Sequence, residues 1–184
     1  VVRIPFRIDD DSDIIDPIMS AINEKTVLAM IDTVSSPTGI RMPFEKLVEM
    51  IQERGVDVLV DAAHGPGIVP LDVGKLNASY ITGNCHKWIC TPKGSAFLHI
   101  REDKRSGVKP LVIGHGHSSE LAPNEKFRLE FDWTGTRDPS PWLCIPHAIK
   151  HVGSMVHGGW TEIMERNRQM AIFGRDLICE ALDT

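Results

Sequence analysis

The sequence has no long hydrophobic run, no block of basic residues and few cysteines. No apolar segment approaches the roughly 18 residues that a membrane-spanning helix needs, and the first residues do not resemble a secretory signal. A net charge of −5 without a Lys/Arg cluster argues against nucleic acid as the main partner. We therefore expect no membrane and no nucleic acid among the partners.

The four cysteines do not have the spacing of a disulfide framework, which favours a reduced, cytoplasmic setting. A chain of 184 residues that is 42% hydrophobic and 24% charged can form one globular domain with a core. It begins without Met and ends inside a predicted helix, so we expect a fragment of a longer protein.

Short apolar runs alternate with amphipathic segments along the chain. Alternation of this kind predicts βαβ units and an α/β fold, with three α/β/α layers around a mainly parallel sheet. The predicted strands are 25–32, 56–61, 78–83, 95–100 and 110–114, and the predicted helices are 12–24, 42–55 and about 160–182.

Unusual side chains follow three of these predicted strands. Asp32 and "TVSSPTG" follow the first strand, "DAAHGPG" ends the second, and "GNCHKW" ends the third. Ligands of parallel α/β sheets bind beyond the carboxyl ends of the strands. We therefore expect these segments to form one functional rim.

The segment "VLVDAAHGPG" (58–67) places Asp61 at the mouth of a buried strand. A partly desolvated carboxylate favours a cationic partner, such as the protonated ring nitrogen of a cofactor. Ala63 is small enough for a ring to lie flat beside it, and His64 is close enough to hydrogen-bond or stack. Alternatively, Asp61 caps a turn and His64 is a surface residue.

The loop "GNCHKWICTPKG" (83–94) permits several chemistries. Bulky neighbours would partly desolvate the Lys87 amine, as a Schiff-base lysine requires. A zinc site of Cys85, His86, Cys90 and His64 would match no common ligand spacing, so we predict no metal. A Cys85 nucleophile with the adjacent histidine as base is also disfavoured, because sequence neighbours on a strand point to opposite faces.

Two later loops are rich in glycine and polar residues. "GHGHSS" (114–119) carries two histidines, for which a flexible loop is the default interpretation. "FDWTGTRDPSPW" (131–142) offers hydroxyl donors at Thr134 and Thr136, close backbone approach at Gly135 and an anion-binding Arg137. A turn before a helix would explain the second loop equally well.

Together, four ordered motifs resemble the class V aminotransferase family of pyridoxal-phosphate (PLP) enzymes, of fold type I. The motifs are most similar to the isopenicillin N epimerase-like branch. They are "SSPTG" (35–39), "VDAAHGPG" (60–67), "TGNCHKWICTPKGSAFL" (82–98) and "WTGTRDPSPW" (133–142).

The resemblance implies roles for the residues nearest the cofactor ring. Lys87 would form a Schiff base with PLP and then move protons at the substrate α-carbon. Asp61 would pair with the pyridinium nitrogen and keep the ring an electron sink. His64 would lie against the ring or its phenolic oxygen, beside Ala63.

The resemblance also implies residues around the phosphate and the substrate. Asn84 and His86 match positions that bind the cofactor phosphate. Thr136 matches a threonine that reaches the phosphate in the partner subunit, which implies a homodimer with shared sites. Ser36 stands where related enzymes have an asparagine near the substrate.

By the same resemblance, residues 1–155 form the central part of a PLP-binding large domain. Residues 156–184 then form a helix that leads into a truncated C-terminal small domain. The main phosphate loop, the aromatic that stacks on the ring and the substrate-carboxylate arginine of the family have no counterpart that can be identified in this sequence.

The implied function is that of a PLP-dependent enzyme acting on an amino acid through an α-carbanion. Epimerase and transaminase chemistry fit, and a C–S lyase or cysteine desulfurase-like enzyme is an alternative. A non-catalytic sensor or scaffold is another alternative, although the joint presence of Asp61, His64, His86 and Lys87 argues against a degenerate site.

Overall fold

The computed structural model describes residues 1–183. Strands and helices alternate along the first half of the chain, and helices dominate the second half. In order they are α1 (Ser12–Ala21), β1 (Leu28–Asp32), α2 (Phe44–Glu53), β2 (Asp57–Ala62), α3 (Val73–Leu76), β3 (Tyr80–Asn84), β4 (Ala96–Ile100), α4 (Pro123–Asp132), α5 (Ser140–Leu143), α6 (Ile145–Gly153) and α7 (Gly159–Leu182).

The four strands form one sheet in the order β1-β2-β3-β4. β1 pairs with β2 and β2 pairs with β3, both in parallel, so the predicted parallel α/β sheet is confirmed. Each parallel pair is joined by a crossover that contains a helix, α2 or α3, as parallel pairing requires. The carboxyl ends of β1, β2 and β3 consequently meet at one rim.

The core lies on one face of this sheet, against α1 and α2. In-register residues Ile31, Val60 and Ile81 point to that face and are buried. The helices contribute Ile14, Leu47 and other apolar residues to the same cluster. On the opposite face, Met30 is exposed, and its in-register neighbours on β2 and β3 are only half-buried.

Helix α2 shows why the helical predictions held. Four of its apolar residues recur at the helical period and are buried: Phe44, Leu47, Val48 and Ile51. Pro43 precedes the first turn, where a missing N–H costs nothing, and Gly55 follows the helix with φ +76°. The predicted helices 12–24 and 160–182 correspond to α1 and α7.

Residues 100–139 form a second compact unit, separate from the unit of residues 1–99 and 140–183. Within it, α4 packs on the short 3₁₀ helix His115–Ser118. The Glu130 carboxyl is almost fully buried and binds Lys109 Nζ at 3.0 Å. These contacts fix the "GHGHSS" segment as a short helix, where the sequence predicted a flexible loop.

The predicted strand at 110–114 is wrong. In the second unit these residues form no strand, and Leu111, Val112 and Ile113 are exposed. Pro110 has no N–H to donate to a sheet ladder. A short apolar run cannot by itself distinguish a buried strand from an exposed loop, because both can carry the same residues.

The end of the chain is helical. α6 and α7 pack on each other, and the Trp160 indole N–H donates to the Ile149 carbonyl at 2.9 Å. Several large apolar residues of α7, including Phe173 and Leu177, are exposed. Within residues 1–183, none of the helices combines the length and the apolarity that crossing a membrane requires.

Candidate functional site

The rim of the sheet carries two carboxylates side by side. Asp61 at the end of β2 pairs in register with Asp32 at the end of β1, so both side chains leave the same face of the sheet. Asp61 Oδ1 accepts a hydrogen bond from the Ala63 backbone N–H at 2.8 Å. Its Oδ2 has no hydrogen-bond partner within residues 1–183, so this oxygen is available to a donor from a ligand.

The pKa of the Asp32 carboxyl is raised above its usual value. Burial of the carboxyl is the main cause, the neighbouring Asp61 carboxylate adds to it, and a positive charge on His64 would partly offset both. Two like charges at a half-buried position favour a cation between or beside them. The rim is therefore suited to a positively charged ligand group.

His64 links the loop after β2 to the loop after β3. Its Nε2 lies 3.0 Å from Lys87 Nζ, and its Nδ1 accepts a hydrogen bond from the Trp88 indole N–H at 3.2 Å. The contacts join residues more than twenty positions apart, because parallel pairing of β2 with β3 brings the two strand ends together. The sequence-predicted residues Asp61, His64 and Lys87 thus share one rim.

The loop after β3 is held by one carbonyl oxygen. The Ser95 carbonyl accepts hydrogen bonds from the Cys85 N–H at 3.1 Å, the His86 N–H at 3.3 Å and His86 Nδ1 at 2.8 Å. Since a carbonyl only accepts, His86 carries a proton on Nδ1. His86 could then donate to a phosphate through Nε2 only in its doubly protonated form.

The other predicted site residues occupy different surroundings. Asn84 ends β3 half-buried, two residues beyond Thr82 and on the same face of the sheet as Asp61. Ser36 is exposed in the turn that follows β1. Thr136 belongs to the second unit, where it is exposed in the turn after α4.

The cysteines of the loop differ in exposure. Cys85 is buried, and this burial raises the pKa of its thiol, which disfavours the thiolate that a nucleophile or a metal ligand needs. Cys90 is exposed in the left-handed region at φ +63°. Within residues 1–183 there is no group of three His, Cys, Asp or Glu side chains that could hold a metal ion.

The donor set at the rim fits PLP. The half-buried Lys87 amine can bond to an aldehyde, and Asp61 Oδ2 can accept from a protonated ring nitrogen. His64 lies next to the amine and can hydrogen-bond to a group on the ring. The sequence placed Asp32 and Trp88 in segments of this rim but gave neither residue a role of its own, although Asp32 ends β1 and is the in-register neighbour of Asp61.

Comparison with known proteins gives a consistent match. The sequence model of the family described as Aminotransferase class-V matches residues 1–180. Isopenicillin N epimerase of Amycolatopsis lactamdurans is 32% identical over 184 residues, which cover 95% of this chain and 46% of the relative. Putative L-cysteine desulfhydrase 1 of Oryza sativa subsp. japonica is 34% identical, covering 100% of this chain and 38% of the relative.

Among solved structures, the apo structure of cysteine desulfurase from Thermococcus onnurineus NA1 has the same fold. It matches with a TM-score of 0.70 and 23% sequence identity, over 95% of this chain and 42% of that one. The chain therefore spans less than half the length of these relatives.

Proposed function

The chain belongs to the class-V aminotransferase family, whose members are PLP-dependent enzymes, and on that premise we propose that the protein containing it removes the α-proton of an amino acid with the help of PLP. The observation that carries this proposal is the contact of the half-buried Lys87 amine with His64 at 3.0 Å, on the rim that also holds Asp61. An amine, an imidazole and a carboxylate on adjacent strand ends are the groups that this chemistry uses.

Each residue of the rim has a separate task. Lys87 Nζ would bond to the cofactor aldehyde and would move the proton at the α-carbon of the substrate. Asp61 Oδ2 would accept a hydrogen bond from the protonated ring nitrogen and keep the proton on that nitrogen. PLP, when bound, supplies the electron sink that stabilises negative charge at the α-carbon.

The remaining residues bind and orient. His64 would lie against the ring or its phenolic oxygen, and Ala63 would leave space for the flat ring. Asn84 and His86 contribute to the phosphate site, and Ser36 faces the substrate. The assignments of His64, Ala63, Asn84 and His86 are supported by their position on the same rim. The assignment of Ser36 is supported by the family motif.

Three reaction types share removal of the α-proton. Return of a proton to the opposite face of the α-carbon would make the protein an epimerase, as the name of the relative in Amycolatopsis lactamdurans states for that protein. Loss of the β-sulfur would make it a C–S lyase, as the names of the plant L-cysteine desulfhydrases suggest for theirs. Transamination is the third possible outcome of the same first step.

The oligomeric state, the domain organisation and the cellular compartment are also proposals. Thr136 reaches the phosphate in the partner subunit of a homodimer, residues 1–155 form the central part of the large domain, and residues 156–184 lead into a small domain. The four cysteines are all free, which supports a reducing compartment such as the cytoplasm.

A hydrogen-exchange experiment tests the proposal. Full-length protein loaded with PLP is incubated in heavy water with a panel of amino acids that includes L-cysteine, and loss of the α-proton signal is followed by NMR. At least one amino acid should exchange, and Lys87→Ala should abolish exchange. Lys93→Ala, which removes an exposed lysine of the same loop, is the matched control and should leave exchange unchanged.

The products then separate the reactions. A D-isomer indicates epimerisation, a 2-oxo acid with aminated cofactor indicates transamination, and sulfide with pyruvate and ammonia from L-cysteine indicates C–S cleavage. If the PLP-loaded protein exchanges no α-proton of any amino acid, the proposal is wrong and a sensor or scaffold function takes its place.

A further inference from the structure

Trp88 occupies a position that the family motifs leave without a task. Trp88 is 46% exposed, so burial in the core does not account for the orientation of its side chain. The indole N–H nevertheless donates to His64 Nδ1 at 3.2 Å, with the two rings tilted by 55° and their centroids 6.4 Å apart. Trp88 thus contacts the histidine that in turn contacts Lys87.

The hydrogen-bonding capacity of the three groups restricts their protonation. An indole N–H can only donate, so His64 Nδ1 must accept and cannot carry a proton. The neutral imidazole therefore has its single proton on Nε2, the nitrogen 3.0 Å from Lys87 Nζ. An imidazolium carries protons on both nitrogens and would break the contact with Trp88.

The same reasoning extends to Lys87. Because Nε2–H is a donor, Lys87 Nζ must accept, and only the neutral amine has a lone pair with which to accept. An ammonium would place two donors against each other. The geometry points to Trp88 as a positioning residue: it holds His64 in the Nε2–H tautomer and thereby favours the neutral, nucleophilic form of the Lys87 amine.

Backbone contacts hold the loop that carries Trp88 against the loop that carries His64. Gly67, in the loop that follows His64, has φ +89°, and a Cβ at this position would lie 2.8 Å from the Trp88 carbonyl oxygen. The loop after β2 therefore packs directly on the backbone of Trp88. In the loop after β3, the Cys90 N–H donates to the Lys87 carbonyl at 3.3 Å and closes the turn that presents both side chains.

Two carboxylates act against this protonation state. Asp32 and Asp61 are in-register neighbours at the same rim, and their negative charges favour cationic forms of His64 and Lys87. The hydrogen bond from Trp88 therefore acts against the two carboxylates, which would otherwise favour protonation of the His64 imidazole. A neutral Lys87 amine matters for catalysis only if the proposed function holds, but the protonation pattern itself is a property of the cofactor-free protein.

The test uses full-length protein stripped of cofactor. Lys87 is labelled with an amine-specific acylating reagent over a range of pH, and mass spectrometry of peptides gives its labelling rate relative to the exposed Lys93. Trp88→Phe keeps an aromatic ring and removes only the N–H donor. We expect about a fivefold fall in the relative labelling rate of Lys87 near neutral pH, the ratio that corresponds to one lost hydrogen bond, and a shift of its labelling profile to higher pH.

Trp160→Phe is the matched control, because it removes an indole donor that bonds a backbone carbonyl between α6 and α7. It should leave Lys87 labelling unchanged. ¹⁵N NMR of the imidazole supplies a second readout: the parent protein should show His64 protonated on Nε2 alone, and Trp88→Phe should show both tautomers.

Identical labelling profiles for parent and Trp88→Phe, or a parent His64 protonated on Nδ1, would overturn the inference. Neither result would touch the proposed function, because Lys87 could still be the residue that bonds to PLP. Failure of α-proton exchange in the loaded protein, in contrast, would leave the tautomer result intact.

Discussion

Asp61 and Asp32 are in-register partners on adjacent parallel strands at the same rim, where Asp32 is the last residue of β1 and Asp61 the last but one of β2. Two carboxylates in this arrangement repel each other unless a cation or a proton lies near them. In the proposed enzyme, the protonated ring nitrogen of PLP is that cation. The pair therefore connects cofactor binding to the stability of the sheet, and two predictions follow from its two members.

Asp32→Asn should stabilise the cofactor-free protein near neutral pH. The pKa of Asp32 is higher in the folded than in the unfolded state, so its ionisation destabilises the fold as pH rises through the raised pKa, and no such cost exists below the unfolded value. Because Asp32 is only half-buried, we expect a gain of at most about 1 kcal/mol. Urea unfolding at several pH values measures this gain in the free energy of unfolding. Asp16→Asn, at an exposed position of α1, is the control.

Asp61→Asn should weaken PLP binding. The substitution keeps the side-chain shape but replaces a charge-assisted hydrogen bond to the ring nitrogen, and such bonds contribute roughly 1.5 to 3 kcal/mol, or about ten- to a hundredfold in Kd. Equilibrium titration of full-length apoprotein with PLP measures the loss. An unchanged Kd would mean that Asp61 does not face the ring nitrogen.

Gly67→Ala should lower the free energy of unfolding by more than the cost of placing alanine in a left-handed backbone conformation. Gly67 has φ +89° and lies against the Trp88 carbonyl, whereas Gly94 has φ +95° with open space around it. Gly94→Ala should cost about 1 to 2 kcal/mol for the left-handed backbone alone. Denaturant unfolding should show a larger loss for Gly67→Ala, and equal losses would refute tight packing of the two loops.

Mixed dimers should reveal whether Thr136 acts in the partner subunit. If it does, a dimer of one Lys87→Ala subunit and one Thr136→Ala subunit has one site with both native residues and one site with neither. Mixing the two variants should then restore tight PLP binding at one of the two sites. Mixed dimers in which neither site binds like the parent would place Thr136 in the site of its own chain.

The sequence predicted the first half of the fold well, because strands β1 to β3 are fully apolar on their buried face and α2 has a clear helical period. It was wrong at 110–114, where Pro110 and the lack of a paired strand in the second unit leave an apolar run exposed. The sequence motifs also predicted Asp61, His64 and Lys87 as site residues, and the structure places all three at the same rim.

The contact between Trp88 and His64 could not be predicted in the same way. It depends on how two loops pack, and on a glycine at position 67 that admits the Trp88 backbone, and neither feature has a periodic pattern in the sequence. The sequence placed Asp32 at the same rim as Asp61, and the parallel pairing of β1 with β2 makes the two acids in-register neighbours.

The central claim is that Lys87 bonds covalently to the cofactor. Full-length protein loaded with PLP is reduced with borohydride, digested, and analysed by mass spectrometry for peptides that carry the reduced cofactor. The account predicts the added mass on Lys87 alone, and none on any residue of a Lys87→Ala variant treated in the same way. Cofactor attached to another lysine, or equal attachment in the variant, would contradict it.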